Sequence, residues 1–224
     1  MRPHRREGYR GRTGVPDHPA APDFQRHACD LGRRSDHPCG TGRLRERAMT
    51  GNTLETLIAK QDIRDVLSRY ARGVDRADGP LLASCYHADA IEEHGNTYNG
   101  PAIAYAHGAA ERMMKMKHPM AHYVCNSHFE FEGETTCFVE SYVLTFARFE
   151  NDKGEPYDTL TGGRLFDKFE RRDGVWKIAH RKMTLDWNRD MPASETWCLG
   201  LFKPDDPKLH IGTRGTADLT YSRF

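Results

Sequence analysis

The chain of 224 residues is 38% apolar, 10% aromatic and 29% charged, a balance that fits a globular protein and excludes collagen-like and low-complexity classes. No run approaches the roughly 18 apolar residues needed to cross a bilayer. The formal charge of +1 conceals an asymmetry: residues 1–48 carry eleven Arg against six acidic residues (+5), and the remainder carries 22 basic against 26 acidic residues (−4).

Residues 1–48 are rich in Gly, Pro, Arg and His and have no apolar period. They cannot bury enough surface to offset the entropy of ordering, so a disordered basic extension is expected. Arg without Lys is what GC-rich upstream DNA yields on translation, which makes Met49 the expected true start. The stretch has no secretory h-region. Lacking Lys and interleaved aromatics, it is not expected to bind nucleic acid. Six Cys without a C-x-x-C pair fit a reduced, cytoplasmic protein.

From Asn52 a pattern emerges. Asn52 and Glu55 form a candidate capping box, and Leu54, Leu57, Ile58, Ile63, Val66, Leu67, Tyr70, Ala71 and Val74 recur mostly at three- and four-residue steps. One long helix over 53–77 follows. "ADGP" breaks it, with Asp78 capping and Pro80 opening a short helix over "LLASCY". "ADAIEEHGNTYNG" predicts a short strand and an Asn-Gly turn. Pro101 starts a third helix reaching about Met116. After Pro119 the period becomes two: "MAHYVCNSHFEFEG" turns at Gly133-Glu134 into "TCFVESYVLTFARFEN", and "TGGRLFDKFE" turns at Asp173-Gly174 into "VWKIAHRKMTLDW". Helices followed by four long antiparallel strands predict an α+β fold, with the domain over 49–190 and an extended C-terminal segment over 191–224.

Strict alternation puts His122, Val124, Asn126 and His128 on one face of their strand, and Arg181 with Met183, Leu185 and Trp187 on one face of the last strand. If His122 and Arg181 face the concave side, they meet Tyr70 and Asp75 from the first helix. His suits proton abstraction at neutral pH, a carboxylate can fix its tautomer, and Tyr and Arg can stabilise a leaving group or a carbonyl. One spacing is awkward. Tyr70 and Asp75 are five apart, roughly 140° around an ideal helix, so both face one pocket only if the helix loosens or ends near Gly73. His118, His122 and His128 are too far apart along a strand to share a metal ion, and no metal or cofactor is expected.

The stretches "IRDVLSRYARGVDRADGPLLASCYHADA", "TYNGPAIAY", "MAHYVCNSHFEF" and "GGRLFDKFERRDGVWKIAHR" resemble, in order over about residues 54–187, a SnoaL-like member of the nuclear-transport-factor-2-like superfamily. Within it the chain is most similar to small lyases: lindane dehydrochlorinase, bile acid 7α-dehydratase and scytalone dehydratase. The resemblance implies a cone-shaped α+β barrel enclosing a pocket, and a homotrimer or homodimer. It implies catalytic roles for Asp75 in "GVDR", His122 in "HYVCN", Arg181 after "DGVWK" and Tyr70. Asn126, Trp187 and Tyr142 are expected to contact substrate. The implied function is a cofactor-independent lyase or isomerase working on a hydrophobic cyclic small molecule. A noncatalytic binding or assembly module and the small subunit of a ring-hydroxylating dioxygenase stand as alternatives, because one fold hosts many functions.

Overall fold

The computed structural model describes Gly51 and residues 53–222; the expectations for residues 1–48 and for Met49 lie outside the described residues. Helix α1 spans Leu54–Asp75. Its N-cap is Thr53, one residue later than the spacing predicts, with the Thr53 hydroxyl accepting from the Thr56 amide at 3.2 Å. Ile63, Val66, Leu67, Tyr70 and Val74 are buried, whereas Leu54, Leu57 and Ile58 continue the apolar period yet stay exposed. The helix stops where Ala77 turns left-handed (φ 55°) and the Asp78 amide donates to the Gly73 carbonyl at 2.8 Å. Asp78 then caps α2 (Gly79–Ala83), accepting from the Leu81 amide at 2.9 Å, with Pro80 in the first turn as expected.

Strands β1 (Tyr86–His94) and β2 (Tyr98–Pro101) form an antiparallel pair. Their turn lies at Gly95–Thr97, so the predicted Asn99-Gly100 turn falls inside β2 instead. Helix α3 spans Ala102–Lys115. Strands β3 (Met120–Glu132), β4 (Thr136–Glu150), β5 (Pro156–Arg172) and β6 (Val175–Pro192) then run as a meander. Asp173 and Gly174 both have positive φ (51° and 80°), the conformation that a two-residue hairpin turn requires.

The sheet has six strands in the order β2-β1-β6-β5-β4-β3, curved but not closed into a barrel. β1 joins β6 in parallel and every other pair is antiparallel, so the expected four-stranded meander gains a two-stranded extension inserted between the helices. β6 also runs to Pro192, five residues past Trp187, because β5 supplies ladder partners as far as Tyr157. The helices cover the inner face, and Leu67, Leu82, Tyr86, Phe169, Trp176 and Ile178 fill the space between. Each such side chain contributes about 1.5–3 kcal/mol by leaving water.

Bulges in the strands decide which side chains face inward. In β3 the register shifts between Val124 and Ser127, leaving Cys125 and Asn126 both exposed. Beyond that point the inner face passes to Ser127, Phe129 and Phe131. In β6 Gly162 pairs with Trp187 and Gly163 with Leu185, so Asp186 is the extra residue; Ala179 is another. Gly163 is a packing requirement there. A Cβ at this position would stand 2.3 Å from the Thr184 carbonyl oxygen on the neighbouring backbone, well inside van der Waals contact distance. Gly163→Ala is expected to destabilise the protein by about 1–3 kcal/mol, as overpacking commonly does, read as a lower midpoint in urea unfolding.

After β6 come the short helix α4 (Trp197–Gly200), a 3₁₀ turn at Gly215–Ala217 and the short helix α5 (Leu219–Ser222). Residues 214–221 pack back on the domain. The Gly215 amide donates to the Arg76 carbonyl at 2.7 Å, Arg76 pairs with Asp218 at 3.3 Å, and the Tyr221 hydroxyl donates to Asp78 at 2.5 Å. Arg214 donates to the carbonyls of Met116 (2.8 Å) and His118.

Candidate active site

Asp75 is the last residue of α1, and its carboxylate grips His122 twice on the edge strand β3. The His122 amide donates to Oδ2 at 3.0 Å and ring Nδ1 lies 2.7 Å from Oδ1. An ionised carboxylate only accepts, so Nδ1 carries the hydrogen and Nε2 keeps its lone pair. Nε2 has no hydrogen-bond partner among the described residues, and His122 lines a cavity of about 380 Å³ between the helices and the inner face of the sheet. That volume suits a small organic ligand. Apolar side chains dominate the walls, among them Met113, Val143, Leu165 and Met183.

The awkward five-residue step resolves without any distortion of α1. Tyr70 enters the cavity from the flank of the helix, whereas Asp75 reaches sideways from its end and stands behind His122. Gly73 has a different task from the one expected: a Cβ there would stand 3.0 Å from Leu82 Cα, so the missing side chain lets α2 pack close.

A second polar cluster forms another part of the wall. The Tyr70 hydroxyl meets that of Tyr105 at 3.3 Å, and the Tyr105 hydroxyl lies 3.2 Å from His94 Nδ1. His94 Nδ1 is also 2.9 Å from Glu92, a fully buried carboxylate that accepts from the Tyr86 hydroxyl at 2.7 Å. Arg181 lies beneath. Its guanidinium is fully buried, donates to Asp167 at 2.6 and 2.7 Å, and sits 4.0 Å from the centre of the Tyr70 ring. Nη1 donates no hydrogen bond among the described residues, and the ring face above it offsets part of that cost. Arg181 therefore does not line the cavity, contrary to the expected contact with a carbonyl or leaving anion; it supports Tyr70 from below.

Burial dominates the ionisation of these groups. It pushes Tyr70 up to about 12, with the Glu92 charge acting the same way and Arg181 opposing. Tyr105 and Tyr86 rise for the same first cause. Tyr70 thus stays a hydroxyl donor through the neutral range. Its folded value lies above the ordinary 10, so its contribution to stability is complete below pH 10 and is lost as pH rises from about 10 to about 12. Melting temperatures across that window are expected to fall, and to fall less steeply in Tyr70→Phe.

The three expected substrate contacts lie elsewhere. Asn126 is exposed because of the β3 bulge, and Trp187 is turned off the face of Met183 and Leu185 by the bulge at Asp186. Tyr142 stands on the outer face with its ring 6.0 Å from the Arg164 guanidinium. None of them lines the cavity.

Comparison with known proteins settles the family. A family model described as a SnoaL-like domain matches residues 55–182. The chain belongs to the SnoaL-like family. The SnoaL-like fold recurs in solved structures. "The crystal structure of LinA" is 25% identical, with a TM-score of 0.53 over 63% of this chain and 93% of that one. A type 2 hexachlorocyclohexane dehydrochlorinase is 23% identical, with a TM-score of 0.58 over 68% and 98%. A protein provisionally called a scytalone dehydratase, from Novosphingobium aromaticivorans DSM 12444, is 20% identical, with a TM-score of 0.54 over 62% and 92%. No curated protein matches the chain.

Sequence reasoning missed four polar residues of this SnoaL-like site: Glu92, His94, Tyr105 and Asp167. The signal was present. In "DAIEEH" a period of two groups Ala90, Glu92 and His94, and in "LFDKF" it sets Asp167 between Leu165 and Phe169. A carboxylate in such apolar company must have a buried partner.

Proposed function

We propose that this chain is a cofactor-independent lyase, of the dehydratase or dehydrohalogenase type, or an isomerase using the same proton transfer on a hydrophobic cyclic small molecule. The observation that carries this reading is the double grip of Asp75 on His122, which leaves Nε2 free at an apolar cavity. In the proposed reaction Nε2 removes a proton from carbon and Asp75 stabilises the imidazolium that forms. Tyr70 donates toward the departing or carbonyl oxygen, and Arg181 holds the Tyr70 ring in place. LinA and the dehydrochlorinase named above make elimination the chemistry to test first.

No described helix is long and apolar enough to cross a membrane; the cytoplasmic placement that we propose rests on six Cys without a C-x-x-C pair. The outer sheet face exposes Phe138, Tyr142 and Phe166, which supports assembly into a homotrimer or homodimer, measurable by light scattering. The deciding experiment is a screen of hydroxylated steroids, cyclic hydroxyketones and halogenated alicyclics for products that have lost water or acid. Turnover of at least one class is expected. Saturable binding with no product from any class would favour the noncatalytic module.

A further inference from the structure

After β6 ends at Pro192 the chain runs largely exposed as far as Thr213, then turns back onto the domain. The stretch that brings it back, "TRGTADLT" over residues 213–220, closes on itself. Gly215 takes the left-handed conformation (φ 65°) that opens the 3₁₀ turn, and the buried Asp218 carboxylate gathers the loop. Its Oδ2 accepts from the Thr213 amide at 3.0 Å, and its Oδ1 from the Thr220 amide at 3.1 Å and the Thr220 hydroxyl at 2.5 Å. Those hydrogen bonds hold the carboxyl well below its ordinary range, so it is ionised at neutral pH. The closed loop grips two separate elements through neighbouring residues. Arg214 donates to the carbonyls of Met116 and His118, in the connection that feeds β3. The Gly215 amide donates to the Arg76 carbonyl and Asp218 pairs with the Arg76 side chain, at the cap of α1. Asp75 precedes Arg76 by one residue, and His122 follows His118 by four. The two hydrogen bonds of the dyad therefore join the same two elements that the loop fastens together.

We propose that Arg214 is a positioning residue, holding the entry of β3 against the end of α1 so that Asp75 keeps its double grip on His122. It acts through the dyad and not on substrate, since no residue of 213–221 is among those that line the cavity. The effect on turnover rests on the reading of His122 as the base, whereas the effect on the dyad rests on geometry alone. Strand β3 needs such a fastening because it is an edge strand, with β4 on one side and no strand on the other. The His122 amide is satisfied by the Asp75 carboxylate, so its place depends on how firmly the end of α1 is held against it. Arg214 is half-buried at this junction; burial pushes its guanidinium down and the Asp75 charge opposes that push, which puts the loop in electrostatic reach of the dyad.

The test reads the dyad through amide hydrogen exchange, followed residue by residue by nuclear magnetic resonance. Asp75 protects the His122 amide, so its exchange reports the grip without any substrate. Arg214→Met is expected to speed exchange at His122 about 10-fold or more, while the interior amides of β5, bonded between β4 and β6, change by less than about threefold. Arg214→Lys, which keeps a cationic donor, is expected to recover part of the protection. Asp218→Ala, which opens the loop, is expected to match Arg214→Met and covers the case in which one variant folds poorly. With hexachlorocyclohexane as the probe and chloride release as the readout, Arg214→Met should lower kcat about 10-fold to 100-fold and leave KM within about threefold, the scale of a misplaced catalytic group. Unchanged exchange at His122 in both Arg214→Met and Asp218→Ala would overturn the proposal. So would an equal rise across β5 in both, which would mark the loop as a general stabiliser. Faster exchange at His122 with an unchanged kcat would overturn the role in turnover. A wild-type protein that releases no chloride counts against the elimination reading alone, because exchange decides the role of Arg214 without substrate.

Discussion

Replacing His122 with alanine is expected to lower kcat by about 10²–10⁴-fold, the range for loss of a positioned general base, with the melting temperature almost unchanged. The side chain is 19% exposed and its described hydrogen-bond partner is Asp75, so truncation opens no sealed void. The Asp75 carboxylate also keeps one of its bonds, because the donor to Oδ2 is the backbone amide at position 122, which survives the substitution. Asp75→Asn should approach the same loss, up to about 10⁴-fold by analogy with the aspartate of a Ser-His-Asp triad, because the neutral amide no longer fixes the tautomer or stabilises the imidazolium. Steady-state kinetics and thermal melts on the same preparations check both variants. Active variants would refute the base assignment. A melting temperature lowered by many degrees would mark the dyad as structural.

The second large effect concerns stability. Arg181→Met is expected to cost about 3–5 kcal/mol in urea unfolding, since it leaves Asp167 buried without its partner. Both side chains are fully shielded from solvent, and the two hydrogen bonds between them span neighbouring strands at the centre of the sheet. Burial pushes the Asp167 carboxyl up and the guanidinium opposes that push, so removing Arg181 releases the carboxyl to take up a proton. Replacing both partners, as Arg181→Met with Asp167→Leu, should recover most of the loss, because a matched apolar pair carries no desolvation cost. Recovery would show that the pair specifies the geometry under Tyr70 more than it stabilises the fold. A cost below about 1 kcal/mol for the single variant would show that the pair does not hold strands β5 and β6 together.

Local chemistry made much of this legible in the sequence. The break of α1 at "ADGP", the Asp78 cap and the Asp173-Gly174 turn obey rules that act within a few residues. The pairing of Asp75 with His122 came through because both residues lie near the ends of their elements, where no irregularity intervenes. Face assignments failed further along the strands. One extra residue at Cys125/Asn126 and another at Asp186 reverse the inside and the outside, and alternation counted from the strand start cannot register them. That is why Asn126 and Trp187 were expected at the cavity. His94 and Glu92 were missed because β1 pairs in parallel with β6, a long-range contact that sits between two helices in the chain order.

The C-terminal packing also has a consequence for the order of synthesis. The helix end that presents Asp75 leaves the ribosome early, but Tyr221 reaches Asp78 across a separation of 143 residues, and Gly215 and Asp218 reach Arg76 at the same corner. Domains fold as their chain emerges, so the sheet and helices can assemble before residues 214–221 exist outside the ribosome. The corner formed by Arg76 and Asp78, beside Asp75, is therefore fastened last. A nascent or trimmed chain that stops short of Arg214 would present a folded cavity without the contacts that fasten the end of α1.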